Sequence, residues 1–150
     1  MSDTPRPPVI LMADDDMDDC LLVRDALSEA CDRCDLRFVG DGEELFEYLE
    51  RHGRFAEPGA APSPDLILLD LRMPRKDGRE TLRELKASSR WRRIPVVVLT
   101  TSTSDDDIRF AYDQGVNSYM TKPTTFRTLV ESVGLLAKYW FKLVRCPPAD

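Results

Sequence analysis

Two kinds of hydrophobic pattern alternate along the chain. Val9-Ile10-Leu11-Met12-Ala13, Leu66-Ile67-Leu68-Leu69 and Val96-Val97-Val98-Leu99 are short apolar runs without period-2 alternation, the mark of strands buried on both faces of a parallel sheet. Leu36-Arg37-Phe38-Val39 and Val116-Asn117-Ser118-Tyr119-Met120 are weaker runs, as strands nearer the sheet edges are. Between them the period changes to that of a helix: Val23, Ala26, Leu27 and Ala30 recur at i, i+3, i+4 and i+7, and Leu45, Tyr48 and Leu49, then Leu82 and Leu85, then Ile108, Ala111 and Tyr112 follow suit. Leu129, Val133, Leu136 and Trp140 stripe a last helix. Strand and helix thus alternate five times, which requires crossover connections and predicts an α/β fold: a parallel sheet with helices on both faces, a three-layer sandwich. Asp41-Gly42, Asp77-Gly78 and Thr103-Ser104 are helix-start signals. His52 to Pro64, with four Pro or Gly residues at its end (Pro58, Gly59, Pro62, Pro64), predicts a surface loop.

Length and composition narrow the classes. A chain of 150 residues is one domain, expected here to span 1–150 with its core at about 8–143, and large enough to bury roughly 70% of its unfolded surface without a disulfide or structural metal. No apolar run is long enough to span a bilayer. The first eight residues, MSDTPRPP, lack the basic start and apolar core of a signal peptide, which predicts a cytoplasmic location. With 21 Lys+Arg against 27 Asp+Glu the net charge is −6, so binding to nucleic acid is not expected. Cys31 and Cys34 form a lone C-x-x-C. Zinc would need two more soft ligands, yet the only histidine is His52 and Cys20 falls on a buried helix stripe. Free thiols are expected throughout.

Chemistry is to be sought at the carboxyl ends of the strands, where open parallel sheets bind ligands. The first strand ends in Asp14, Asp15 and Asp16, the third in Asp70, the fourth in Thr100 and Thr101, and the fifth runs to Lys122-Pro123. Carboxylates crowded together repel and call for a cation, and a few hard oxygen donors suit Mg²⁺ better than Zn²⁺. An acidic N-cap could explain the D-D-D run by itself. It does not explain Asp70, which follows four apolar residues and precedes Leu71-Arg72-Met73-Pro74 and not a helix start. Beside Mg²⁺ and the Lys122 ammonium, Asp70 could attack phosphorus and form an acyl phosphate.

The segments I-L-M-A-D-D (10–15), D-L-I-L-L-D-L-R-M-P (65–74), K-D-G (76–78), I-P-V-V-V-L-T-T (94–101) and Y-M-T-K-P (119–123) together resemble the response-regulator receiver domains, the CheY-like family, over residues 8–143. The resemblance implies a flavodoxin-like (βα)5 fold with strand order 2-1-3-4-5. It implies Asp70 as phosphoacceptor, with Mg²⁺ held by Asp15, Asp70 and the backbone carbonyl of Arg72, and by Asp14 through water. Lys122 would pair with the phosphoryl group and precede a cis bond to Pro123; Thr100 would swing its hydroxyl to the phosphoryl oxygen and Tyr119 follow inward. Asp16 would be a surplus, solvated carboxylate. Taken alone, Thr100 is an ordinary β-branched strand residue, Tyr119 a half-buried aromatic and Lys122 a surface lysine; their flanking motifs give them these roles. I-P-V-V-V-L-T-T-S (94–102), Asp105-Asp106-Asp107-Ile108 and Tyr139-Trp140-Phe141 are similar to the small stand-alone regulators paired with bacterial phytochromes.

The resemblance therefore implies a two-component regulator, itself not an enzyme beyond assisting its own phosphorylation and dephosphorylation. A histidine kinase, of the bacteriophytochrome kind, would phosphorylate Asp70, and a downstream protein or phosphotransfer partner would read the result. Two other readings stay open. A haloacid-dehalogenase-type phosphatase also uses Asp and Mg²⁺ but needs a second Asp where Arg72 stands, and a receiver can act as an unphosphorylated binding module. Finally, between Leu135 and Val144 only Lys138 and Lys142 are charged. Leu135, Tyr139 and Leu143 lie on a stripe the core need not cover, which predicts a homodimer through the C-terminal helix.

Overall fold

The computed structural model describes residues 6–31 and 33–148. The part of the signal-peptide reading that rests on residues 1–5 lies outside them. The chain alternates β1 (Val9–Ala13), α1 (Met17–Ala30), β2 (Asp35–Val39), α2 (Gly42–Glu50), β3 (Leu66–Leu69), α3 (Gly78–Ala87), β4 (Val96–Thr100), α4 (Asp105–Asp113), β5 (Ser118–Thr121) and α5 (Phe126–Lys138). A 3-10 turn, Gly53–Phe55, sits in the loop after α2, and a π-helical turn, Tyr139–Leu143, prolongs α5. All five strands are parallel, in the order β2-β1-β3-β4-β5. This is the flavodoxin-like three-layer sandwich.

The apolar runs work as two-sided strands because side chains alternate across the sheet. Ile10 and Met12 of β1, Leu66 and Leu68 of β3 and Val97 and Leu99 of β4 pack against Cys20, Val23, Ala26 and Leu27 of α1 and Leu129, Val133 and Ala137 of α5. Leu11, Ala13, Ile67, Leu69, Val96 and Val98 face the other way, onto Leu45, Tyr48 and Leu49 of α2, Leu82 and Leu85 of α3 and Ala111 of α4. The edge strands β2 and β5 are only half buried. Helix starts match their signals: Asp41, Asp77 and Ser104 each accept a backbone N–H from the first turn of α2, α3 and α4.

Two expectations are corrected. Cys31 and Cys34 are joined as a disulfide, not free. The chain leaves α1 in extended conformation at Cys31 and turns into β2, bringing the two Cα atoms to 6.0 Å, within bridging range. No described peptide bond is cis, so Lys122–Pro123 is trans, the isomer an X–Pro bond prefers unless its surroundings select otherwise.

Candidate functional site

The site stands where β1, β3 and β4 end and β5 turns toward α5. Pairing sets the height of each residue. Asp14 donates its N–H to Val39 and Asp70 its N–H to Ala13, both at 3.0 Å, and Lys122 donates its N–H to Thr100 at 2.7 Å. The four side chains therefore leave their strands at one level. A close approach closes the floor: a Cβ on Gly78 would lie 2.1 Å from the Asp70 carbonyl oxygen, so only glycine lets α3 start against the end of β3.

Asp70 is 6% exposed. Its Oδ1 accepts the Thr100 hydroxyl at 2.8 Å and the Arg72 N–H at 3.1 Å, and its Oδ2 accepts from Lys122 Nζ at 2.9 Å. The same Nζ lies 2.7 Å from Asp14 Oδ2 and 2.7 Å from Asp19 Oδ2. Burial works against the charge on Lys122, but its contacts with Asp14, Asp19 and Asp70 outweigh it and hold the ammonium above the ordinary lysine range. For Asp14 burial wins: it pushes the carboxyl up to about 6, against the pull of Lys122 and of the Asp16 N–H. Asp14 Oδ1 accepts that N–H at 2.9 Å, whereas Oδ2 is buried with a charge contact to Lys122 but no aligned hydrogen-bond donor.

Carboxylate oxygens of Asp14, Asp15 and Asp70 lie within 4.8 Å of one another. Two of these residues are buried and one exposed. Hard oxygen donors, open on the Asp15 side, with one buried oxygen still lacking an aligned partner, fit a divalent cation that keeps part of its water. Asp16, expected to be surplus, is exposed but caps α1, accepting the N–H groups of Asp18 and Asp19. Tyr119 is half buried, and its hydroxyl donates to the Ser102 carbonyl at 2.8 Å.

Sequence reasoning did not name Asp19, and it named Asp107 only within the Asp105-Asp106-Asp107-Ile108 likeness, without a role of its own. Asp107 is 4% exposed on α4 and accepts from Ser102 Oγ at 2.6 Å, Arg72 Nη2 at 3.1 Å and Arg79 Nη1 at 2.5 Å. A signal existed: of the three consecutive aspartates opening α4, only Asp107 is four residues before the buried Ala111, on the inward stripe.

Known proteins agree with the geometry. The family model for the response regulator receiver domain matches residues 10–134. Among relatives, the probable methanogenesis regulatory protein FilR2 of Methanothrix harundinacea is 41% identical over 141 residues, covering 94% of this chain and 88% of that protein. The response regulator Rcp1 of Synechocystis is 39% identical over 150 residues, covering 99% and 100%. Among solved structures, the phosphorylated cyanobacterial phytochrome response regulator RcpA superposes with TM-score 0.86 at 38% identity, over 96% of this chain and 100% of that one. RPA3017, a response regulator in red light signaling of R. palustris, gives 0.87 at 38%, over 95% and 99%. The Mn²⁺-bound form of Rcp1 gives 0.84 at 38%, over 95% and 100%. An acceptor-like carboxylate held at the floor of an acidic cleft by a lysine and a threonine, in a chain that matches the family model over most of its length, is thus no isolated coincidence of motifs: the chain belongs to the response regulator receiver domain family of two-component signalling.

Proposed function

We propose that Asp70 receives a phosphoryl group from the phosphohistidine of a sensor kinase of the bacterial phytochrome kind. The nitrogen–phosphorus bond breaks as a carboxylate oxygen of Asp70 bonds to phosphorus, leaving an acyl phosphate and a neutral imidazole once nitrogen is protonated. The observation that carries this reading is the convergence on Asp70 of the Lys122 ammonium at 2.9 Å and the Thr100 hydroxyl at 2.8 Å, beside two further aspartates. Lys122 neutralises charge on the incoming phosphoryl oxygens, and Thr100 is placed to exchange its bond to Asp70 for one to phosphoryl. Tyr119, tied to the loop that follows Thr100, moves with it. The likeness to RcpA and RPA3017 supports the choice of kinase.

Asp15, Asp70 and the Arg72 carbonyl, with Asp14 through water, would hold Mg²⁺, which when bound screens the negative charge of the approaching phosphate. The carboxylate cluster supports this assignment, as does the Mn²⁺-bound relative. The protein assists its own phosphorylation and dephosphorylation without turning over a separate substrate. It works in the cytoplasm as a single receiver unit, core 8–143, passing its state to a downstream protein or phosphotransfer partner; among the described residues no helix is long and apolar enough to cross a membrane. The exposed stripe Leu135, Tyr139 and Leu143 supports a homodimer.

Incubation with acetyl phosphate and Mg²⁺, or with a phosphorylated phytochrome kinase, tests the reading on phosphate-retarding gels. Wild type is labelled; Asp70→Asn, whose amide neither attacks phosphorus nor binds Mg²⁺ as an anion, is not, and EDTA abolishes labelling. Full labelling of Asp70→Asn would remove Asp70 from the mechanism.

A further inference from the structure

The acidic cleft has two sides: the end of β1, with Asp14 and Asp15, and the loop after β3, residues 70–77, with Asp70 and the Arg72 carbonyl. The turn between β2 and α2 touches both sides without belonging to the cluster. Its Val39 carbonyl accepts the Asp14 N–H at 3.0 Å, and Gly42 donates its own N–H to the Lys76 carbonyl at 2.9 Å. Asp41, 5% exposed, lies between them. Its Oδ1 is committed to the Glu44 N–H at 2.9 Å, which caps α2. Its Oδ2 accepts Arg75 Nε at 2.7 Å and lies 2.6 Å from Arg75 Nη2, so two guanidinium nitrogens converge on one buried oxygen. The third, Nη1, lies 3.2 Å from Glu43 Oε2.

Arg75 has φ 58°, one of two described residues other than glycine with positive φ. A long side chain adopts that conformation at a cost and keeps it only where contacts hold it. The base of the loop is fixed separately, since the Leu71 carbonyl accepts the Gly78 N–H at 3.1 Å. Arg72 is tied by its N–H to Asp70 and by its guanidinium to Asp107. Neither contact sets the direction of its carbonyl, which lies in the rigid peptide plane shared with Met73 and follows the chain onward to Arg75. Met73 is buried in the apolar layer, but its side chain has three rotatable bonds and holds a peptide plane loosely. The directional contacts beyond it are those that Arg75 and Lys76 make with the start of α2.

We infer that Arg75 is a positioning residue for the cation: paired with Asp41, it holds the loop 72–77 against the start of α2, and with it the peptide that carries the Arg72 carbonyl. This rests on the cation reading of the Asp14, Asp15 and Asp70 cluster and adds the group that keeps its backbone donor in place. Charge and position make opposite demands here. A guanidinium repels a divalent cation, and its removal also leaves Asp41 and Glu43 without its neutralising charge, so charge alone makes a chain lacking Arg75 bind Mg²⁺ more tightly. Position makes it bind more weakly, as loss of an outer partner of a metal ligand does.

The experiment is an Mg²⁺ titration of the full chain followed by NMR at the Asp15 and Asp70 amides, on wild type, Arg75→Ala and Arg75→Lys. All three keep a Cβ at the positive-φ position, so the backbone penalty there is the same. Half-saturation is expected at about tenfold higher Mg²⁺ in Arg75→Ala, the lower end of what an outer partner of a metal ligand is worth. A smaller but definite rise is expected in Arg75→Lys, which keeps the charge but offers one nitrogen in place of the converging pair. Without metal, the Gly42 amide of Arg75→Ala should exchange faster than that of wild type, and saturation with Mg²⁺ should restore its protection, because a contact that favours the cation is favoured by it in return. A residue that merely supported the fold would not give protection that returns with the metal. Unchanged or lower half-saturation in a folded Arg75→Ala, or Gly42 protection that Mg²⁺ does not restore, overturns the inference; should Arg75→Ala fail to fold, unchanged or lower half-saturation in Arg75→Lys overturns it. A wild type whose Asp15 and Asp70 amides do not respond to Mg²⁺ overturns the cation reading and this inference together, whereas failure confined to the variants leaves that reading standing.

Discussion

The two helical layers are joined in different ways. On one face, α1 and α5 meet through small and apolar residues, so closely that a Cβ on Gly134 would lie 3.1 Å from that of Ala30. On the other face, ionic and cation–π contacts tie the helices and loops to one another. Arg79 reaches Asp107 from α3, and the guanidinium groups of Arg79 and Arg83 lie 4.1 Å and 5.4 Å from the Phe110 ring centroid of α4. Arg75, in the loop after β3, binds Asp41 and Glu43 at the start of α2. Apolar contact is lost in proportion to area, with no preferred alternative partner. A charged hydrogen bond is directional and can be exchanged whole for another, as interfaces that switch between discrete arrangements require. Thr100 continues β4 on the face of Val96 and Val98, and Tyr119 pairs with Val98 on the neighbouring strand. The residues assigned to switching therefore belong to the exchangeable side, while α1 and α5 supply the fixed one.

The comparison is broken most directly by stability. Leu27 of α1 is buried in the apolar layer, and Leu27→Ala is expected to cost about 2–5 kcal/mol in urea unfolding. Arg79→Ala should cost only about 1 kcal/mol, since Arg79 is partly exposed and Asp107 keeps Arg72 and Ser102 as partners. Its effect should appear instead as faster hydrogen exchange of α4 amides with α1 unchanged, because local opening reports local contacts. If Arg79→Ala proves as costly as Leu27→Ala, or if α1 and α4 loosen together, the two layers are not different in kind.

What could be read from the chain follows the same division. β1, β3 and β4 are visible as unbroken apolar runs because both their faces are buried. The edge strands are blurred by solvent on one side: β2 begins at Asp35, one residue before its apolar run, and β5 begins at Ser118, leaving Val116 buried in the preceding turn. Asp14, Asp15, Asp70, Thr100 and Lys122 could be picked out because strand ends in a parallel sheet share one rim, so position along the chain translates into position in space. Asp19 and Asp107 could not be picked out that way. Each is one aspartate among several in a helix's first turn, where charge next to the helix N-terminus is favourable anyway, and its special contact depends on which loop folds across it. The Cys31–Cys34 bridge was hidden for a like reason, since spacing leaves open whether a helix exit brings two Cα atoms together.

The smallest change in fold energy is expected where the apolar layer runs out. Beyond Lys138 the α5 helix widens into the π-helical turn Tyr139–Leu143, which keeps Trp140 and Phe141 partly against the core while Leu135, Tyr139 and Leu143 stay 70%, 49% and 67% exposed. Leu135 and Tyr139, with Met120, Leu136 and Trp140, also line a groove between β5 and α5. Because Leu143 buries little within one chain, Leu143→Glu should alter monomer stability by no more than about 0.5 kcal/mol. A charge placed in a two-fold apolar contact meets its own copy or its copy's surroundings, so the same substitution should disperse a dimer. Sedimentation at roughly tens of micromolar, a range in which interfaces of standard size are occupied, separates the possibilities. Wild type as dimer and Leu143→Glu as folded monomer would mean that the fixed layer of one chain continues into its partner. A wild type that sediments as a clean monomer would mean that this face of α5 is solvated and that the apolar layer ends within a single chain.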